Sequence, residues 1–193
     1  MEYDMSRLQI VKYPGAVLRK KAVTVDRVTP ELQNFMADMA EIMYESRGVG
    51  LAAPQVGISL RIIVVDTDDR LQTIINPKIT RAEGSQTGVE GCLSLPGLHG
   101  DVTCAASVTV RGLNRFGKKI TLSGEGLWAR AIQHEIDHLD GHLFIDRVDA
   151  STLRWVTGET DENDNQIERP TTLPDALAVF ERMAKIEKDE TLV

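Results

Sequence analysis

Thirteen residues, Trp128 to Asp140, contain the pattern His-Glu-x-x-His at His134, Glu135 and His138. On a helix, positions four apart lie one turn apart on the same face. Two imidazoles so placed can bind one metal ion, and the glutamate beside the first can reach a water on that metal. The segment reads as helical. Leu127, Ala131, His134 and His138 follow one face at spacings of four, three and four. Gly141 stands where a helix would end, and Ser123-Gly124-Glu125-Gly126 breaks structure just before it. Two histidines and a carboxylate on an otherwise apolar stripe need charge or hydrogen-bond partners, and a metal supplies them.

The motif fixes two ligands and leaves the third open. A histidine six residues after His138 is ruled out, because that position holds Phe144. His142 is one turn on, but Gly141 turns it away. Glu159 has a suitable separation, with no helical stripe to aim it. Cys104 lies in an apolar run, where a buried structural thiol is expected. Cys92 lies in Glu-Gly-Cys-Leu-Ser-Leu-Pro, and a thiolate is a strong ligand for soft or borderline divalent metals. The residues alone favour Cys92 without excluding the others.

The elements that must position these groups follow from pattern. Residues 29–45 predict a helix, with Thr29 as N-cap, Pro30 in the first turn and Leu32, Phe35, Met36, Met39, Ile42 and Met43 as its core stripe. The run Arg61–Asp66 predicts a buried strand, and Gln72–Pro77 a second one ended by its proline. Residues 81–88 read as loop. Val102–Leu113 and Lys119–Leu122 read as two strands across a turn at Asn114–Gly117. Residues 157–172 read as an exposed acidic loop, and 174–188 as a final amphipathic helix. The expected fold class is α+β, with mainly antiparallel strands packed around the central His-Glu-x-x-His helix, plus an N-terminal and a C-terminal helix. Residues 1–150 are expected to form the catalytic domain. Residues 151–193, the acidic loop and last helix, belong to it or append to it.

Composition bounds the rest. The chain has 193 residues, 42% hydrophobic and 26% charged, as in an ordinary globular protein. Its net charge of −7 argues against DNA or other broad nucleic-acid binding. No stretch reaches membrane-span length. Met1–Met5 lacks the apolar run of a secretory signal. Cys92 and Cys104 make no disulfide framework. A cytoplasmic location with free thiols is expected.

Three blocks carry a family resemblance: Gly48-Val49-Gly50-Leu51-Ala52-Ala53-Pro54-Gln55, Glu90-Gly91-Cys92-Leu93-Ser94, and Gln133-His134-Glu135-Ile136-Asp137-His138. In this order, with Tyr13-Pro14 and Ile75-Asn76-Pro77, they resemble the signatures of peptide deformylases over about residues 7–148. The resemblance implies removal of the formyl group from formyl-methionyl nascent peptides, releasing formate. It implies Cys92, His134 and His138 as ligands of one divalent metal, natively Fe(II), with Zn, Ni and Co also fitting the donor set. Metal-bound water would be the nucleophile, with Glu135 as general base and then acid. The side-chain amide of Gln55 and the backbone N–H of Leu93 would meet the developing oxyanion. Gly50 would pair with the substrate backbone, and Val49, Leu127 and Ala131 would receive the methionine side chain. The ribosome is a candidate partner. Arg130 and His99 depart from the family's usual residues and are read as affecting the substrate rim. The alternatives are a zinc metalloprotease with Glu159 as third ligand, and a metal-stabilised binding domain.

Overall fold

The computed structural model describes residues 8–68, 70–162, 164 and 166–190, without the side chains of 188–190. The expectation about Met1–Met5, and the part of the 157–172 reading that falls on Asn163 and Asn165, lie outside the described residues.

The helix predicted over 29–45 is α1, Pro30–Glu45, and the Thr29 hydroxyl accepts from the N–H of Leu32 at 3.3 Å. The glycine-rich block after it is not simply loop. It forms strand β1, Gly50–Ala52, and one 3-10 turn, Ala53–Val56. The buried strand β2 is Ile62–Val65. Strand β3 runs Gln72–Glu83 and β4 Gln86–Cys92. Two expectations therefore fail here. Pro77 does not end its strand, because the β3–β6 register shifts between Ile75 and Lys78 and the missing N–H falls in that irregularity. The polar 81–88 segment is mostly strand around a turn at Gly84, whose φ is +66°.

Strand β5 is Leu95–Cys104 and β6 is Ser107–Leu113. The single run read over Val102–Leu113 thus breaks near Ala105, where the chain crosses between sheets. Strand β7, Lys119–Glu125, absorbs most of the expected break before α2, which spans Gly126–Asp140. Only Gly126, at φ +60°, interrupts the chain there. Gly141 ends α2 in the left-handed region at φ +82°. The acidic segment is a hairpin, β8 at Arg154–Thr160 and β9 at Gln166–Pro170, followed by α3, Leu173–Glu190.

The strands form a five-stranded sheet in the order β1-β2-β3-β6-β7 and a four-stranded sheet in the order β4-β5-β8-β9. All named pairings are antiparallel. The expected α+β class with mainly antiparallel strands is what the chain has. Strand alternation divides the core. Ile62 and Val64 pack with Phe35, Met36, Met39 and Met43 of α1. Ile63 and Val65 pack with Ala129, Ile132, Ile136 and Leu139 of α2. β2 is buried on both faces, which is why it reads as an unbroken β-branched run. A third cluster joins Leu95, Leu98 and Val102 of β5 to Phe144, Ala176 and Phe180. Among the described residues, no helix is long and apolar enough to cross a membrane.

Candidate metal centre and cleft

Residues two apart on a strand share a face. On β4 these are Glu90 and Cys92. One turn apart on α2 lie Arg130 and His134, then His138. The two sets meet. The ligand atoms of Cys92, His134 and His138 all lie within 4.8 Å of one another. Cys92 Sγ is 3.3 Å from His138 Nε2. The β4–β5 hairpin turns at Leu93-Ser94, with Cys92 opposite Leu95, and so presents the sulfur to α2.

Behind this group lies a second layer. Glu90, only 8% exposed, accepts from Arg130 Nη1 at 2.7 Å and from His134 Nδ1 at 2.8 Å. Arg130 Nη1 also donates to the carbonyl of Val102 at 2.9 Å. A carboxylate on Nδ1–H leaves the Nε2 lone pair of His134 for a cation. Arg130 is thus buried against Glu90 while also lining the cleft. Glu90, two residues before Cys92 on β4, is the group that sequence reasoning leaves without a role.

The buried titratable groups shift one another strongly. Burial disfavours charge on His134, but hydrogen bonds to Cys92 and Glu90 outweigh it and hold its pKa well above the usual range. Burial, reinforced by charge on His134 and Arg19, pushes His138 well below its usual range and keeps it neutral. Burial works against ionised Glu90, yet His134 and Arg130 prevail and lower its pKa. Glu135 is raised to about 7 by burial, with His134 opposing and Glu90 adding to the rise. Glu135 Oε2 and His138 Nδ1 are buried and have no hydrogen-bond partner among the described residues.

Gln55, 1% exposed, sits on the 3-10 turn after β1. Its Oε1 accepts from the N–H of Ala52 at 2.8 Å, which fixes the amide orientation. Nε2 therefore faces Cys92 Sγ at 3.5 Å and Ser94 Oγ at 3.4 Å. A Cβ on Gly50 would collide with Glu135 Oε1. The glycine is what lets β1 pass over this carboxylate.

A cleft of about 450 Å³ opens above, lined by Val49, Gly50, Gln55, Cys92, Leu93, Leu127, Ala131, His134 and Glu135. Its walls are β1 and the β4–β5 hairpin, and α2 is its floor. Val49 and Leu127 are exposed in it, and Ala131 is buried. The other third-ligand candidates lie apart from this group. Glu159 pairs with Arg169 at 3.2 Å, and His142 Nδ1 is 3.9 Å from Asp146. Cys104 lines a separate pocket behind His134.

Two antiparallel sheets around a helix that brings a glutamate and two histidines to a cysteine define an α+β hydrolase scaffold with a candidate metal site. The family described as Polypeptide deformylase matches residues 7–154. A peptide deformylase of Symbiobacterium thermophilum is 48% identical over 174 residues, 89% of this chain and 79% of its own length. The solved peptide deformylase of Legionella pneumophila shares 36% identity at a TM-score of 0.73, covering 95% of this chain and 96% of that one. One from Synechococcus elongatus, in complex with actinonin, shares 41% identity at a TM-score of 0.72, covering 77% and 82%. The chain belongs to the peptide deformylase family. It is by family an enzyme, of a metal-dependent class that removes N-formyl groups from nascent peptides.

Proposed function

We propose that this chain removes the formyl group from formyl-methionyl nascent peptides, with one divalent metal held by Cys92, His134 and His138. One observation carries the reading: three metal-ligand atoms within 4.8 Å of one another beside the unpartnered, buried Oε2 of Glu135. The Cys-His-His donor set fits zinc, iron(II), nickel and cobalt alike, and Fe(II) as the native metal is what the family resemblance implies. When bound, the metal supplies a Lewis acid that polarises the formyl carbonyl and lowers the pKa of water toward neutrality.

The chain's own residues do the rest. Glu135 Oε2 takes a proton from the attacking water and later gives it to the departing amine, so the products are formate and a free N-terminus. Its burial keeps it out of competition with bulk water for that proton. Gln55 Nε2 and the backbone N–H of Leu93 donate to the formyl oxygen as it gains negative charge. Glu90 orients His134, and Arg130 anchors Glu90. The backbone of Gly50 pairs with the peptide as an added strand. Val49, Leu127 and Ala131 form the apolar wall for the methionine side chain.

Residues 1–150 carry this machinery in our reading, and the β8–β9 hairpin and α3 complete the same domain, with β8 paired to β5 and Ala176 and Phe180 packed against Leu95 and Leu98. Formyl-methionyl chains emerge from the ribosome, which makes it a candidate partner and the cytoplasm the proposed site of action. The test is formate release from formyl-Met-Ala-Ser by protein purified without oxygen. Release supports the reading. Cleavage of internal peptide bonds without formate release would overturn it.

A further inference from the structure

Arg47 stands at the mouth of the cleft in a conformation that arginine does not favour. α1 ends in a Schellman motif. The N–H of Gly48 donates to the carbonyl of Met43 at 2.8 Å, and that of Arg47 to the carbonyl of Tyr44 at 2.9 Å. The residue between Ser46 and Gly48 must therefore be left-handed, and Arg47 has φ +55°. Glycine is the usual occupant of this position, because a Cβ is disfavoured there. An arginine held where glycine would be easier points to use rather than packing.

Its surroundings say what use. Arg47 is exposed and lines the cleft. Among the described residues its guanidinium has no ion-pair or hydrogen-bond partner. The carboxylates lining the cleft are Glu90 and Glu135, both buried, and Glu90 is already held by Arg130 and His134. On the facing wall His99 lies over Gly91 and also lacks an acidic partner. Arg47 therefore places an unpaired positive charge at the mouth, on a chain whose net charge is −7.

We infer that Arg47 recognises a carboxylate on the substrate: the enzyme favours formyl-methionyl peptides with Asp or Glu within two residues after the methionine. The inference rests on the deformylase reading above and adds a substrate class to it. A guanidinium fork fits a carboxylate in two parallel hydrogen bonds. The pair forms at a wet rim, so its effect is modest and screened by salt.

The experiment measures kcat/KM for C-terminally amidated formyl-Met peptides with Glu, Gln or Lys at the second or third residue, at low and high salt. The parent enzyme should favour Glu over Gln by about two- to fivefold at one of these positions in low salt. The preference should shrink at high salt, vanish in Arg47→Gly and survive in Arg47→Lys. Arg47→Gly should melt no lower than the parent, since glycine suits the cap, so lost selectivity there is not unfolding. Equal rates for Glu and Gln, a preference for Lys, or a Glu preference untouched in Arg47→Gly would overturn the inference alone. No formate from any peptide would overturn the functional reading and the inference with it.

Discussion

Glu90 Oε2 lies 2.8 Å from His134 Nδ1, and this contact decides which nitrogen of His134 faces the cleft. The other oxygen of Glu90 is held by Arg130 at 2.7 Å, so one buried carboxylate ties the helix to the strand that carries Cys92. Arg130→Met removes the cation and leaves Glu90 buried and charged. It should destabilise the fold by about 3 kcal/mol. The double variant Arg130→Met with Glu90→Gln should recover much of that loss, read as a double-mutant cycle by denaturant unfolding. Additive losses would say that the pair is not coupled. Glu90→Gln alone should weaken metal affinity about 10- to 100-fold with little change in far-UV circular dichroism.

Glu135→Gln should keep the metal and lose turnover by at least about 10²-fold. The same variant carries a pH signature in metal-free protein. The folded-state pKa of Glu135 is raised to about 7, so the fold favours its protonated form. The corresponding stability is fully present below the unfolded-state pKa, about 4.3, and is lost as pH rises through 7. Metal-free Glu135→Gln should therefore match the parent near pH 4 and melt higher at pH 8. A parent as stable at pH 8 as its glutamine variant would contradict the burial argument.

Gly50→Ala tests the close approach of β1 to α2. Its Cβ would meet Glu135 Oε1 in a site where both residues are buried. The expected result is a stability loss of about 1–3 kcal/mol and a fall in kcat, because Glu135 must move from its place. Unchanged kinetics would mean that the carboxylate need not occupy the position seen here.

Asp146 anchors the chain after α2. It accepts from Arg19 and from the N–H of Leu143, and despite partial burial these contacts lower its pKa. A lowered carboxylate pKa adds stability above the unfolded value, lost as pH falls through the folded one. Asp146→Asn should cost about 0.5–1 kcal/mol at pH 7, allowing for its partial exposure to solvent. That difference should disappear in acid. Thermal melts at pH 7 and pH 3 read it directly.

The parts legible in the sequence were those with a strong local signal. Thr29, Pro30 and the methionine stripe define α1, and Gly141 marks the end of α2. The β-branched run of β2 reads as buried because it is buried on both faces. The losses came where tertiary pairing overrode local cues. Pro77 sits at a register irregularity with β6, which periodicity does not reveal. The polar β8–β9 segment pairs with β5 and so becomes strand. The anchoring layer had a usable signal that went unread. Glu90 is two residues from Cys92 on a strand, and Arg130 is four from His134 on a helix, so each shares a face with a ligand candidate. Arg47 had none, because its left-handed backbone follows from how α1 terminates.

The central claim is tested most directly by titrating metal-stripped protein with Fe(II) under anaerobic conditions while measuring formate release from formyl-Met-Ala-Ser. The account predicts that activity rises linearly and breaks at one equivalent per chain, with both activity and tight binding lost in Cys92→Ala. Full metal loading without formate release, or an undiminished response in Cys92→Ala, would contradict it.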